Sequence, residues 1–189
     1  MRTLSIWPRC TPRLTLRPFT EGDIAASWTY RGHPDVTVWT AAYLTRQEQW
    51  TALATQTLGE RIAITLPNGA LIGDISLHVT DAWYQRGADS AAARLSAAEL
   101  GWAISPEHGG RGYATEAAAE ALRIAFEDIG VRRVTASAFA DNAASIRVME
   151  KLGMRREATT IGDSYHAVHG WTDGAWYALL ADEWRSLPR

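Results

Sequence analysis

One cysteine, Cys10, and one lysine, Lys151, are all that this 189-residue chain has of either type. A lone cysteine leaves no internal disulfide framework and no cysteine-based zinc cage. With 19 Lys+Arg against 21 Asp+Glu the formal net charge is −2. That balance lacks the basic excess with which nucleic-acid binders displace counterions from phosphate. No apolar stretch approaches a membrane span, and Leu4–Trp7 is too short for a signal peptide, so a cytoplasmic protein is expected. Repeats, low-complexity segments and linkers are also missing. Residues 1–189 are therefore expected to form one domain, with residues 1–12 an N-terminal tail. What is present is 47% hydrophobic and 21% charged, an ordinary globular composition. Nine tryptophans either fill the core or line a cleft.

Hydrophobic periodicity sets the elements. Arg13–Phe19 alternates as a strand. Thr20-Glu21-Gly22-Asp23 opens a helix near Ile24–Tyr30, and Thr45–Leu58 forms another, with Thr45 and Glu48 at capping-box spacing. Arg61–Leu66 and Leu71–Val79 read as strands joined by the turn Pro67-Asn68-Gly69. Asp81–Ala98 reads as a surface loop and Glu99–Ile104 as a strand. Gly112–Ile129 carries Ala114, Ala118, Leu122, Ala125 and Ile129 on one helical stripe. Glu116, Glu120, Arg123 and Glu127 fall on the opposite face, and Gly130 marks the stop. A strand at Val131–Phe139 and a helix at Ala143–Leu152 follow, then strands near Arg155–Ile161 and Ala175–Ala181 and a short closing helix. The expected class is α/β (α+β), a mixed sheet with helices on both faces.

The segment Ser105–Thr115 lies between a strand and a helix and contains Gly109, Gly110 and Gly112. Residues without a Cβ let the backbone turn sharply and approach a ligand. The first amides of the next helix lack intrahelical partners and sit at the positive end of its dipole, which suits a diphosphate. The glycines alone fit a turn that binds nothing equally well. A P-loop is excluded by the missing Lys-Ser/Thr pair, and a dinucleotide fingerprint by Thr115 at its third glycine position.

A second motif separates these readings. Gly-Gly-Arg-Gly-Tyr-Ala-Thr-Glu-Ala (Gly109–Ala117), followed by Asn-x-x-Ser-x-Arg-Val-x-Glu-Lys-Leu-Gly (Asn142–Gly153), resembles the GNAT superfamily of acetyl-CoA-dependent N-acetyltransferases. Within it, the chain is similar to the ribosomal-protein N-terminal acetyltransferases of RimJ/RimL type. The resemblance implies a mostly antiparallel sheet of about seven strands, with a V-shaped splay between two central ones. It implies that Gly109, Gly110, Arg111, Gly112, Tyr113, Ala114 and Thr115 cradle the diphosphate of acetyl-CoA, the acyl donor. Gly109 departs from the family's usual Gln or Arg and is preceded by His108. Trp102, Ala103 and Ile104 match the strand that pairs with the pantetheine amides, an assignment a plain buried strand also satisfies.

Asn142 matches a position that contacts the pantetheine arm, and it equally fits a helix N-cap. Ser145 matches the position facing the departing sulfur, where a hydroxyl assists the thiolate. Glu99 matches a general-base position, because an ammonium must lose a proton before attacking a thioester. Asp74 and the pair His166/His169 are fallback bases, and two histidines do not make a metal site. Direct transfer to a primary amine is implied, with no covalent intermediate on Cys10, no metal and no nucleic-acid or membrane partner. A homodimer is expected by the same resemblance. A non-catalytic acyl-CoA-binding module, or use of succinyl-CoA or another donor, is the alternative. Asp35, Asp74, Asp81, Asp163 and Asp173 would suit a polycationic acceptor if they converge. Trp28, Trp39, Trp83 and Trp171 suit a stacking pocket.

Overall fold

Strand alternation resolves into an eight-stranded sheet in the computed structural model, which describes residues 7–85, 87 and 90–187. The strands are β1 (Arg9–Cys10), β2 (Thr15–Pro18), β3 (Arg61–Thr65), β4 (Leu71–Thr80), β5 (Ala97–Ile104), β6 (Arg133–Phe139), β7 (Arg155–His166) and β8 (Gly170–Leu180). Their order is β1-β2-β3-β4-β5-β6-β8-β7, and every neighbouring pair is antiparallel except β5–β6. The helices are α1 (Glu21–Arg31), α2 (Pro34–Thr37), α3 (Gln47–Gln56), α4 (Tyr113–Arg123), α5 (Ala143–Lys151) and α6 (Ala181–Ser186).

Two cores sandwich the sheet. Ile62, Ile64, Ile75, Leu77, Ala98 and Leu100 face Ala118, Leu122, Ala125 and Met149 of the α4–α5 side. Phe19, Ile24, Leu44, Trp50, Ala54 and Ala63 form the second core beneath α1 and α3. The mixed sheet with helices on both faces is thus the observed architecture.

Several local expectations are corrected. The presumed tail holds β1, which pairs Arg9 with Leu16 and adds the eighth strand. Its neighbourhood is tied down because Glu116 accepts from Thr11 and Arg13, while Arg9 pairs with Glu120 and Asp128. Glu116 and Glu120, assigned by periodicity to an open helix face, therefore lie under the N-terminal segment. The second helix starts at Gln47 rather than Thr45. Its cap is Gln49, whose Oε1 accepts from the Thr45 and Arg46 amides at 3.0 and 3.1 Å, in place of Glu48. The long helix changes to a π-helical segment at Ile124–Ile129 before Gly130 ends it at φ +83°. The last hairpin is longer than expected because β7 is exposed and broken in register near Gly162, which hides its alternation. Of the Leu4–Trp7 run, residues 4–6 lie outside the described residues.

Candidate active site

The β5–β6 pairing stops early. Ala97, Ala98 and Glu99 pair with Arg133, Val134 and Thr135, and both strands then run on without each other. The Ala98 carbonyl accepts from Thr135 on the β6 side, whereas the Ser105 N–H donates to Ile72 on the β4 side. Main-chain groups alternate in direction along a strand. Past Glu99, those of Trp102 and Ile104 therefore face the opening of the V.

Two clefts meet there. The first, of ≈360 Å³, is lined by Trp102, Ala103, Ile104, His108, Gly109, Gly110, Gly112, Tyr113, Ala114, Thr115, Asn142 and Ser145. The second, of ≈500 Å³, is lined by Glu99, Trp102, Asn142 and Ser145 together with residues of the α1–α3 side. Trp39, Thr40, Trp102, Asn142 and Ser145 belong to both and mark the junction. Of the catalytic and cofactor-binding residues that the resemblance implies, all but Arg111 line one cleft or the other.

Gly110 and Gly112 have φ of +72° and +80°, in the left-handed region that side chains strain to enter. Gly112 caps α4, so the first amides of that helix point toward the first cleft with no intrahelical partner. His108 lines the same wall, and its Nδ1 is sealed from solvent without a partner in the protein. Arg111 is exposed. Its carbonyl accepts from Arg13 Nη1 at 2.8 Å, while Arg13 Nε donates to Glu116 and its guanidinium lies 4.7 Å from the Tyr113 ring centre. Burial pushes the Glu116 carboxyl up, but the bonds from Thr11 and Arg13 outweigh it and hold the group below its ordinary value. The sequence reading missed Arg13 because its partners are remote in the chain. Arg147 and Lys151, one turn apart on α5, also line this cleft.

Asn142 is buried and caps α5, its side-chain oxygen accepting from the Ser145 amide at 3.0 Å. Its amide nitrogen is left for the cleft, so the two roles weighed from sequence are compatible. Ser145 sits in the first turn of α5 at the junction. Glu99 lies across from His78 in the β4–β5 register, and both line the second cleft. Glu60, also lining it, is 2.7 Å from His78 Nδ1. Neither Glu60 nor His78 stands out in sequence, since a histidine in an alternating strand looks like any exposed position.

Other candidates do not come together. Asp74 is fully buried, bonded to Tyr30 at 2.9 Å, to Arg61 at 2.8 Å and to Arg31 through two nitrogens. Desolvation raises its pKa, but the two guanidiniums outweigh that and leave it lowered, so it is no proton acceptor. His166 is buried against Trp39 and Phe139, with Nδ1 accepting from the Val168 and His169 amides. Asp35 lines the first cleft, Asp81 accepts from the Leu95 amide, and Asp163 and Asp173 belong to the β7–β8 hairpin. The five aspartates thus do not converge. Among the four tryptophans only Trp39 lines the clefts; Trp28 packs in the α1 core, and Trp83 and Trp171 are exposed. Cys10 is exposed on β1 and lines neither cleft.

The chain is similar to known proteins in sequence and in fold. Residues 13–155 match the model of the acetyltransferase (GNAT) domain. The uncharacterized N-acetyltransferase YnaD of Bacillus subtilis strain 168 is 37% identical over 86 residues, 46% of this chain and 50% of that protein. The chain spans about half the length of the curated relatives it matches. A GNAT-family acetyltransferase from Bacillus anthracis superposes with a TM-score of 0.78 at 28% identity, over 93% of this chain and 99% of that one. Spermidine N-acetyltransferase from Vibrio cholerae, solved with CoA and spermine, gives 0.74 at 17% identity over 93% and 99%, a likeness of fold. With the splayed strands and the glycine cradle both inside the matched span, the chain belongs to the acetyltransferase (GNAT) family.

Proposed function

We propose that the chain transfers an acetyl group directly from acetyl-CoA to a primary amine. The observation that carries this reading is the meeting of the two clefts at Trp102, Asn142 and Ser145. One cleft offers a run of free amides and the other a carboxylate. The donor site fits its group: the positive-φ glycines leave room above the α4 amides, and the orphaned His108 Nδ1 adds a polar atom that lacks a partner. The amides of Gly110–Thr115 would hold the diphosphate, and the main-chain groups of Trp102 and Ile104 would take the pantetheine arm. Acetyl-CoA supplies an activated thioester when bound.

The remaining chemistry belongs to the side chains at the junction. Glu99 accepts the proton of the incoming ammonium, directly or through one water. A main-chain N–H of β5 near Ile104 stabilises developing oxyanion charge, and the Ser145 hydroxyl donates to the departing thiolate. A second reading of the base rests on one contact. With its Nδ1 against Glu60, His78 is oriented to accept a proton at Nε2 in the same cleft. The motif resemblance to ribosomal-protein N-terminal acetyltransferases keeps peptide N-termini among the acceptors and the cytoplasm as the place of action.

Thiol release from acetyl-CoA, measured over a panel of amines and N-terminal peptides, tests the reading. Turnover with at least one amine is expected. Binding without turnover for every member would instead mark a non-catalytic acyl-CoA-binding module, and a succinyl-CoA arm reads donor choice. Glu99→Gln is expected to lower kcat by ~10²-fold or more, with the KM for acetyl-CoA unchanged. If His78→Gln shows that loss and Glu99→Gln does not, the base is the histidine.

Arg13 is a positioning residue for the cradle. Arg13→Ala removes the tie between the Arg111 carbonyl and Glu116, and is expected to raise the Kd for CoA by roughly tenfold, the worth of one charge-assisted bond. Calorimetry reads the change, and kcat at saturating acetyl-CoA should stay near the parent value. An unchanged Kd would remove Arg13 from the cradle.

A further inference from the structure

The second cleft carries charges of both signs, set apart. Its charged and titratable groups are Arg31, Arg61, Glu60, His78 and Glu99. Asp74 lies beneath them, fully buried, and is shared by both guanidiniums. Within that buried cluster one carboxylate faces two guanidiniums. Glu60 and Glu99 line the same cleft but are bonded to neither guanidinium, Glu60 standing 2.7 Å from His78 Nδ1. Arg61 commits Nε to Thr57 and Nη1 to Asp74. Its Nη2 is uncommitted, and is not among the nitrogens sealed from solvent without a partner. The Trp50 ring lies 4.8 Å from each guanidinium carbon and gives them a flat backing. An unbalanced cation in such a site is costly to hold, and an anion arriving with the ligand removes the cost.

The spacing fits a small molecule. Arg61, Ser76 and Gly101 stand in register across three adjacent strands, and Glu99 lies two residues before Gly101 on β5. Strand geometry then puts the Arg61 and Glu99 Cα atoms about 12 Å apart, and the Arg61 guanidinium reaches toward Asp74, on the far side of Ser76 from the His78–Glu99 pair, so the ligand spans a gap of that order. Gly101 keeps the floor between them open, since a Cβ there would stand 2.6 Å from Ser76 Oγ.

We propose that the acceptor is an amine that also carries a carboxylate, an amino-acid-like zwitterion, its anion held by Arg61 and its amine presented to Glu99. The proposal rests on the acetyl-transfer reading and narrows it. A polyamine would set a second ammonium against Arg61. An amine without an anion would leave the guanidinium unbalanced.

Matched acceptors test this on the unaltered chain: free amino acids against their carboxamides, and lysine against cadaverine, compared by kcat/KM for acetylation. The carboxylate-bearing member of at least one pair is expected to lead by about tenfold or more, as a charge-assisted bond would give. Arg61→Gln should bring the carboxylate-to-carboxamide ratio of kcat/KM down to about one, whereas a merely structural role would lower both rates together and leave the ratio as in the parent. Equal or better rates for carboxamides, cadaverine or N-terminal peptides would overturn the zwitterion and leave acetyl transfer standing. No transfer to any amine would overturn both.

Discussion

Gly112→Asp is expected to abolish acetyl-CoA binding in calorimetry while shifting the melting temperature by only a few degrees. Gly112 has φ +80° and caps α4, at the centre of the amide cradle. Aspartate is among the few side chains that visit the left-handed region, at ~1–2 kcal/mol of strain. A carboxylate at a helix N-terminus is itself favourable, so the helix should form. For a chain of this size that strain moves the melting temperature by ~2–8 °C. Binding suffers for another reason. The new carboxylate would stand beside the cradle, where its negative charge repels the diphosphate, and a Cβ at this position already lies 3.4 Å from Arg13 Nη2. Gly112→Ala carries the backbone strain without the charge and is expected to weaken binding by only ~10-fold. Parent-like affinity in the aspartate variant would mean that no diphosphate sits against these amides.

Asp74→Asn is expected to cost about 3–5 kcal/mol, because it leaves Arg31 and Arg61 facing each other without an anion. At the size of this chain that lowers the melting temperature by ~10 °C or more. The pH dependence has a definite sign. Burial pushes the Asp74 carboxyl up, the paired guanidiniums of Arg31 and Arg61 push it down, and the net shift is downward. A group lowered on folding stabilises fully above its unfolded value, about 3.9, and loses that contribution as pH falls through the folded value. The gap between parent and variant in urea unfolding should therefore be flat from about pH 5 to 8 and shrink in stronger acid. The Tyr30 hydroxyl, pushed up by burial and by Asp74, stays a donor throughout that range. A variant as stable as the parent at pH 7 would show that the buried ion cluster does not hold α1 to the sheet.

The glycine turn and the Asn142 cap of the cleft proposed for the donor were readable from sequence because their requirements are local. Gly110 and Gly112 sit where the backbone turns left-handed, and Asn142 sits three residues before the amide it caps. The strand from Glu99 to Ile104 and the two helices beside it follow from short-range periodicity. The cleft proposed for the acceptor is assembled across the chain, and periodicity could not reach it. Arg31, Arg61 and Asp74 come from a helix and two strands, and only the register of β3 against β4 brings them together. Glu60 meets His78 in the same way. In sequence, Asp74 is an acidic residue inside an apolar strand, equally consistent with a base and with a buried counterion. Its two guanidinium partners decide for the counterion. Arg13 and Glu116, separated by most of the chain, were invisible as a pair for the same reason, and the first strand went unread with them.

A crystal structure with CoA bound is the most direct test of the central claim. The account predicts the diphosphate within hydrogen-bonding distance of the Gly110–Thr115 amides, the pantetheine arm between β5 and β6, and the sulfur beside Ser145. A diphosphate bound elsewhere, or a gap between β5 and β6 closed by side chains, would contradict it.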